Sequence, residues 1–164
     1  MVIASENFRD EEYEKPRRIL EGRGVEIKVA SSAFGERKGM LGKKVWADLT
    51  LDTANLADFD GIVFIGGVGA VEYFNDQKAL NLAKEAERTN KVLGAICIAP
   101  SILANAGILK DKKATAFPSE ENNLKQKGAS YTGEMVTVSG KIVTARGPEA
   151  AEEFGQKIAE VLGV

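Results

Sequence analysis

Histidine is absent from this chain of 164 residues, and cysteine occurs once, as Cys97. Without imidazole there is no Ser-His or Cys-His nucleophile pair and no imidazole metal ligand. Acid–base work near neutral pH falls to a perturbed carboxyl, a thiol, a lysine or water. A lone cysteine makes neither an intrachain disulfide nor a thiolate metal cage. The expectation is therefore no metal and no cofactor. Basic residues are not in excess either: 22 Lys and Arg stand against 24 Asp and Glu, for a net charge of -2. With no basic stripe to neutralise phosphates, nucleic-acid binding is not expected. No apolar run approaches the roughly 20 residues that span a bilayer. No charged-then-apolar leader with a cleavage site is visible. The expected location is the cytoplasm, away from membranes.

What remains is ordinary globular composition, 44% hydrophobic and 28% charged. The length suits one domain, residues 1–164, with one core. Met1–Ser5 reads as a short apolar strand, Asp10–Glu21 as a helix closed by Gly22 and Gly24, and Val25–Ser31 as a strand. Residues 34–60 read as irregular, with a possible hairpin around Val45 and Trp46. Gly61–Ile65 and Lys91–Ile96 are continuous apolar runs, as in strands covered on both faces. Helices are expected over Asp76–Thr89, Ala99–Ala106, Ser119–Lys127 and Glu149–Leu162. Short strands are expected near 129–131, 135–138 and 141–145, the last two joined at Ser139-Gly140. Strand–helix alternation points to an α/β fold with a doubly wound, mostly parallel sheet and helices on both faces.

The stretch from Val92 to Ser101 carries most of the chemical information. A buried strand runs into a helix with one or two residues between, and small residues, Ala95 and Ala99, flank Cys97 at two positions' distance. That is the steric demand of a nucleophile elbow. Pro100 suits the first turn of the helix, whose N-terminus favours a thiolate. The competing reading is a small buried core residue. On the first helix, Glu12 falls between Pro16 and Ile19, the only charge on the apolar arc. A buried unpaired carboxyl tends to keep its proton and can then donate to a thiolate; alternatively it flanks the interface and reaches water or a basic partner. Pro16 should kink or break this helix. Gly66-Gly67-Val68-Gly69 follows a buried strand. It reads as a weak dinucleotide fingerprint lacking its third glycine, as a turn whose N–H groups face Cys97 as half of an oxyanion site, or as a plain turn.

Together these stretches resemble the ThiJ/PfpI family of the class I glutamine amidotransferase-like superfamily. The carriers are Phe8-Arg9-Asp10-Glu11-Glu12 with Pro16, Asp48-Leu49-Thr50, Phe59 through Gly67, Ala95-Ile96-Cys97-Ile98-Ala99-Pro100, Ala106 through Leu109, and Thr144 through Pro148. The resemblance implies a flavodoxin-like three-layer sandwich, assembled as a homodimer or larger homo-oligomer. It implies that Glu12 contacts Cys97 and that the backbone amides of Gly67 and Ile98 form the oxyanion site. Family peptidases carry histidine where Ile98 stands. Members with glyoxalase activity often carry one where Phe117 stands. Glu72 matches an acid that peptidases of the family supply from a neighbouring subunit, but here there is no imidazole for it to orient.

Three functions follow from this reading. The first is a thiol enzyme acting on small reactive carbonyls, glyoxalase- or deglycase-like, with Cys97 and Glu12 as its groups. The second is a non-enzymatic redox sensor or chaperone of the stress response, working through oxidation of Cys97. The third, an intracellular cysteine peptidase, is disfavoured by the missing histidines. The expected partner is a small-molecule electrophile or oxidant.

Overall fold

A computed structural model describes residues 1–164. In chain order the strands are β1 (Glu6–Phe8), β2 (Ala30–Ser31), β3 (Gly35–Gly39), β4 (Lys44–Ala47), β5 (Leu49–Thr50), β6 (Gly61–Phe64), β7 (Val92–Ile96), β8 (Lys113–Ala114), β9 (Ser130–Tyr131), β10 (Val136–Ser139) and β11 (Ile142–Ala145). The α-helices are α1 (Asp10–Gly22), α2 (Gln77–Arg88), α3 (Pro100–Asn105), α4 (Glu121–Gln126) and α5 (Ala151–Leu162).

The main sheet runs β10, β11, β7, β6, then the Met1–Ile3 segment, then β2 and β5. Val2 bridges Phe64 on one side and Ala30 on the other, so the first residues join the two halves. Only β10 runs antiparallel, turning into β11 through Gly140 and Lys141 with Ser139 opposite Ile142. The segment expected as a strand over residues 25–31 pairs only at Ala30 and Ser31, because its neighbours, Met1–Ile3 and β5, reach only its last residues. Within residues 34–60 the hairpin expected around Val45 and Trp46 is present as β3–β4, which pairs with β1 as a small separate sheet.

Alternation along β6 and β7 explains why both read as unbroken apolar runs. Ile62, Phe64, Leu93 and Ala95 join a core on the α2–α3 face. Val63, Ile65, Val92 and Ile96 join a second core, under α1 and α5, with Phe8, Tyr13, Leu20, Phe154 and Ile158. Each strand is buried on both faces, as parallel sheets require. This is the three-layer α/β sandwich expected from the pattern. No helix is long and apolar enough to cross a membrane.

The helix α1 departs from expectation in one respect. Pro16 neither breaks it nor ends it; the helix runs unbroken to Gly22. Pro16 is buried against α5 at Gly155, where an added Cβ would lie 2.7 Å from the Pro16 Cα. Packing of α1 on α5 outweighs the local cost of the proline, which removes the N–H that would close on the Glu12 carbonyl. Asp10 is buried at the start of α1 and accepts hydrogen bonds from the N–H groups of Leu41 and Lys43, both at 2.8 Å. It holds the tip of the β3–β4 hairpin over the first turn of the helix. Alanine there leaves two donors unanswered, and we expect a loss of about 2 kcal/mol in urea unfolding.

Candidate active site

Cys97 follows β7 directly and has φ of +65°. Left-handed backbone at a residue with a Cβ is uncommon and costs about 1 kcal/mol or more. Surrounding bonds hold it there: the Cys97 N–H donates to the Ala145 carbonyl at 2.9 Å, and its own carbonyl accepts from the Phe117 N–H at 2.7 Å. The residue is 9% exposed, so the sulfur sits just beneath the surface. The next strand end, after β6, supplies the Gly66-Gly67 turn.

Glycine is required at that turn. A Cβ on Gly66 would lie 2.5 Å from the Cys97 Cβ, 2.5 Å from Glu12 Oε2 and 2.6 Å from the Ile96 carbonyl oxygen. The place a methyl would occupy is thus where α1, β6 and β7 meet, and its absence lets Glu12 and Cys97 face one another. Gly67, at φ of +98°, lies so close to β1 that a Cβ would stand 2.4 Å from the Arg9 nitrogen. On Gly69 it would stand 1.8 Å from the Glu6 carbonyl oxygen. That contact fills the space a dinucleotide pyrophosphate needs, and the fingerprint reading falls. The N–H groups of Gly67 and Ile98 donate to no backbone carbonyl and no side-chain oxygen. Both favour the charged form of the Cys97 sulfur. An oxygen anion formed on an atom bonded to that sulfur meets free donors.

Glu12 is 0% exposed and belongs to no ion pair, which removes the reading of a flanking charge. Neither carboxyl oxygen reaches a hydrogen-bond partner. The Cys97 thiol and the Gly66 amide are the polar groups that face them. Burial pushes the Glu12 carboxyl up to about 8, so it is protonated at neutral pH. The Cys97 thiol moves the wrong way for a simple activated nucleophile. Burial, and then the charge of an ionised Glu12, push it up to about 12. This corrects the expectation that the helix N-terminus sets the state of the thiol in favour of the thiolate. The two groups titrate as a pair, and the pair gives up its first proton only near 8. The higher value belongs to the second proton, lost beside a carboxylate.

Several candidates have other employment. Glu72 accepts from the Ser5 hydroxyl at 2.7 Å and the Ser5 N–H at 3.2 Å, tying its turn to the first strand segment. Phe117 contributes only its backbone to Cys97, and its ring is 42% exposed. No group of three or more acidic or cysteine side chains is gathered to hold a metal ion. A cleft of about 830 Å³ lies at the opposite, amino ends of the strands, between Val25, Gly61, Lys91 and Lys141, and does not touch Cys97. Sequence reasoning treated Gly66 only as a turn residue and Arg9 only as part of a motif. The first meets both Cys97 and Glu12. The one sequence signal for Gly66 was that two glycines in succession end a buried strand.

The sheet, the cysteine elbow at its carboxyl edge and the buried glutamate define a three-layer α/β protein of the cysteine-elbow class. Within that class the chain belongs to the DJ-1/PfpI family, whose model matches residues 1–161. It superimposes on the ThiJ/PfpI domain protein of Brachyspira murdochii with a TM-score of 0.97 and 34% identity, over 99% of this chain and 94% of that one. It is 42% identical to an uncharacterised protein of Methanocaldococcus jannaschii over 99% of its own length and 80% of the relative's. A deglycase of Pyrococcus horikoshii is 30% identical over 90% of this chain and 89% of its own.

Proposed function

We propose that this protein is a cysteine-dependent enzyme of small reactive carbonyls, glyoxalase- or deglycase-like. The observation that carries the reading is Glu12: a fully buried carboxyl without an ion pair, holding a proton beside the only thiol of the chain. The deglycase name of the Pyrococcus relative is in keeping with it.

For a 2-oxoaldehyde such as methylglyoxal the steps are these. The Cys97 thiolate adds to the aldehyde carbon, forming an S–C bond, and the carbonyl electron pair moves to oxygen. That alkoxide is met by the Gly67 and Ile98 N–H groups and takes the proton of Glu12, giving a hemithioacetal. The Glu12 carboxylate then removes the proton on the former aldehyde carbon and returns it to the neighbouring carbon, while the hemithioacetal hydroxyl proton passes to the neighbouring oxygen, leaving a 2-hydroxy thioester. Water hydrolyses the thioester to lactate and frees the thiol. No external oxidant is consumed. In the absence of histidine, Glu12 is the one nearby group that both holds and passes a proton near pH 8. Lactate formation from methylglyoxal should fall roughly a thousandfold or more in Cys97→Ser, since a serine hydroxyl lacks activation here. Lactate formed equally by the variant would end this reading.

A second reading uses the same atoms without turnover. Peroxide converts Cys97 to a sulfenic or sulfinic acid, and the proton on Glu12 bonds to the added oxygen. Buried sulfur facing a neutral carboxyl suits that state too. Intact mass after graded peroxide, and separately after methylglyoxal, separates the two: an oxygen adduct that persists, or a carbonyl adduct that turns over. Peptidase activity ranks last. Cleavage of a peptide bond must protonate a leaving amine, and Glu12 would have to serve sulfur and amine from one buried position. Purified protein should not cleave fluorogenic peptides. Peptide cleavage in the wild type, lost in Cys97→Ser, would reverse the ranking.

A further inference from the structure

We infer that Arg9 tunes the Cys97 site towards anionic electrophiles, making small aldehydes that also bear a carboxylate, of the 2-oxo-acid kind, its preferred class of substrate. The inference rests on the proposal that Cys97 is a nucleophile, and goes beyond it by naming the charge of what it attacks.

Arg9 precedes α1, and its backbone is stitched to the turn beside the sulfur. Its N–H donates to the Gly66 carbonyl at 2.9 Å. The adjacent Gly67 leaves no space for a Cβ against it. The guanidinium is therefore carried by the same backbone contact that sets the Gly66-Gly67 turn. The side chain is 31% exposed, so it leaves that turn towards the surface and not into the core. Its charge is felt by both Glu12 and Cys97.

Glu11 holds the guanidinium as a fork, with Nε to Oε2 at 2.8 Å and Nη2 to Oε1 at 3.2 Å. Glu11 is itself a third exposed. An ion pair at such exposure holds weakly, and a substrate carboxylate of matching geometry can share or displace it. The need for a cation is chemical. An anionic aldehyde approaching a thiolate meets like-charge repulsion, and the site has no histidine to offset it. A protonated Glu12 adds no second negative charge, so a guanidinium released from Glu11 to the substrate carboxylate offsets the repulsion from the thiolate. On addition the thiolate forms its bond to the aldehyde carbon, the carbonyl pair takes the Glu12 proton, and the substrate carboxylate stays at Arg9.

The test needs no turnover. Cys97, as the only thiol, is alkylated by iodoacetate, which is anionic, and by iodoacetamide, which is neutral and nearly the same size; in each case sulfur displaces iodide. The readout is the ratio of the two rates in wild type, Arg9→Gln and Glu11→Gln, at low and high salt. We expect Arg9→Gln to lower the iodoacetate-to-iodoacetamide ratio about fivefold at low salt, and Glu11→Gln to raise it severalfold, with both effects shrinking as salt screens the field. A change in the thiolate fraction alters both rates alike and cancels in the ratio. A ratio unmoved by both variants, with normal iodoacetamide reactivity, overturns the role of Arg9 and leaves the nucleophile standing. A Cys97 inert to both reagents overturns the nucleophile, and this inference with it.

Discussion

A single methyl group added at Gly66 is expected to cost about 3 kcal/mol and to disconnect the reactive pair. Its Cβ would lie within 2.6 Å of three atoms at once: the Cys97 Cβ, Glu12 Oε2 and the Ile96 carbonyl oxygen. One of them is backbone in a central strand. Another is the Cβ of a residue already held at positive φ. Only the Glu12 carboxyl can give way, and it has no water-filled space to retreat into, being fully buried. Overpacking of this kind costs roughly 1–3 kcal/mol in ordinary cores, and a site bounded by backbone belongs at the upper end. In a domain of this size that corresponds to a fall in Tm of roughly 10 °C. The second consequence is chemical. If the carboxyl swings away to make room, alkylation of Cys97 in Gly66→Ala should lose the pH dependence that Glu12 gives it, while a distant alanine substitution of equal destabilisation keeps it. Thermal unfolding and an alkylation profile on the same variant check both. A Gly66→Ala protein with unchanged Tm and unchanged profile would show that the three elements do not meet as described.

Glu12 should also make the fold sensitive to pH in a direction opposite to most carboxylates. The pair it forms with Cys97 gives up its first proton only near 8, far above the 4.5 at which a free glutamate ionises. The folded state therefore holds the proton more tightly than the unfolded chain. Stability from the pair is complete below about 4.5 and declines as pH rises through the interval to about 8. The raised Cys97 thiol acts in the same sense at higher pH. Carboxylates in favourable surroundings do the reverse and lose stability on acidification. The interval spans several pH units at about 1.4 kcal/mol each, so the loss is a few kcal/mol even after the pair's mutual influence is discounted. Glu12→Gln keeps the shape and cannot ionise. Between pH 5 and pH 8.5 it should gain a few kcal/mol on the wild type in urea unfolding, with the two curves converging at the acid end. Parallel curves across that range would mean that Glu12 is charged in the folded protein.

Much of this architecture was legible in sequence because the central strands are buried on both faces. Gly61–Ile65 and Val92–Ile96 show no polar interruptions, and a covered sheet accounts for such runs beside amphipathic helices. Cys97 was legible for a steric reason: Ala95 and Ala99 are the small neighbours that an elbow demands. Glu12 was legible because a charge on an apolar helical arc is costly, and the structure removes the cheap alternatives by burying it without an ion pair. Three features were not legible. The short pairing at Ala30 and Ser31 depends on how far neighbouring segments extend, which is a property of the sheet and not of residues 25–31. Pro16 reads as a helix breaker locally, and only its packing on Gly155 shows why the helix tolerates it. The thiol itself was misjudged. A helix N-terminus favours a thiolate, but α3 is only six residues long and the sulfur is buried beside a carboxyl. Desolvation and the neighbouring charge outweigh a short helix, and neither can be weighed before the third dimension is known.

The central claim is that Cys97 and Glu12 act as one proton-sharing pair in which the sulfur carries the negative charge and the carboxyl keeps the proton. The free N–H groups of Gly67 and Ile98 face the sulfur, whereas the Glu12 oxygens have no bonded partner, and that asymmetry selects the state. The most direct measurement is the rate of Cys97 alkylation by iodoacetamide against pH in the wild type and in Glu12→Leu. A neutral carboxyl that donates to the thiolate stabilises it, and a hydrogen bond to a charged group is worth about 1.5–3 kcal/mol. Its removal should raise the midpoint by roughly one unit or more. A carboxylate beside a thiol does the opposite, and its removal would lower the midpoint. The account predicts a wild-type midpoint near 8 that moves up in Glu12→Leu; a midpoint that moves down, or does not move, contradicts it.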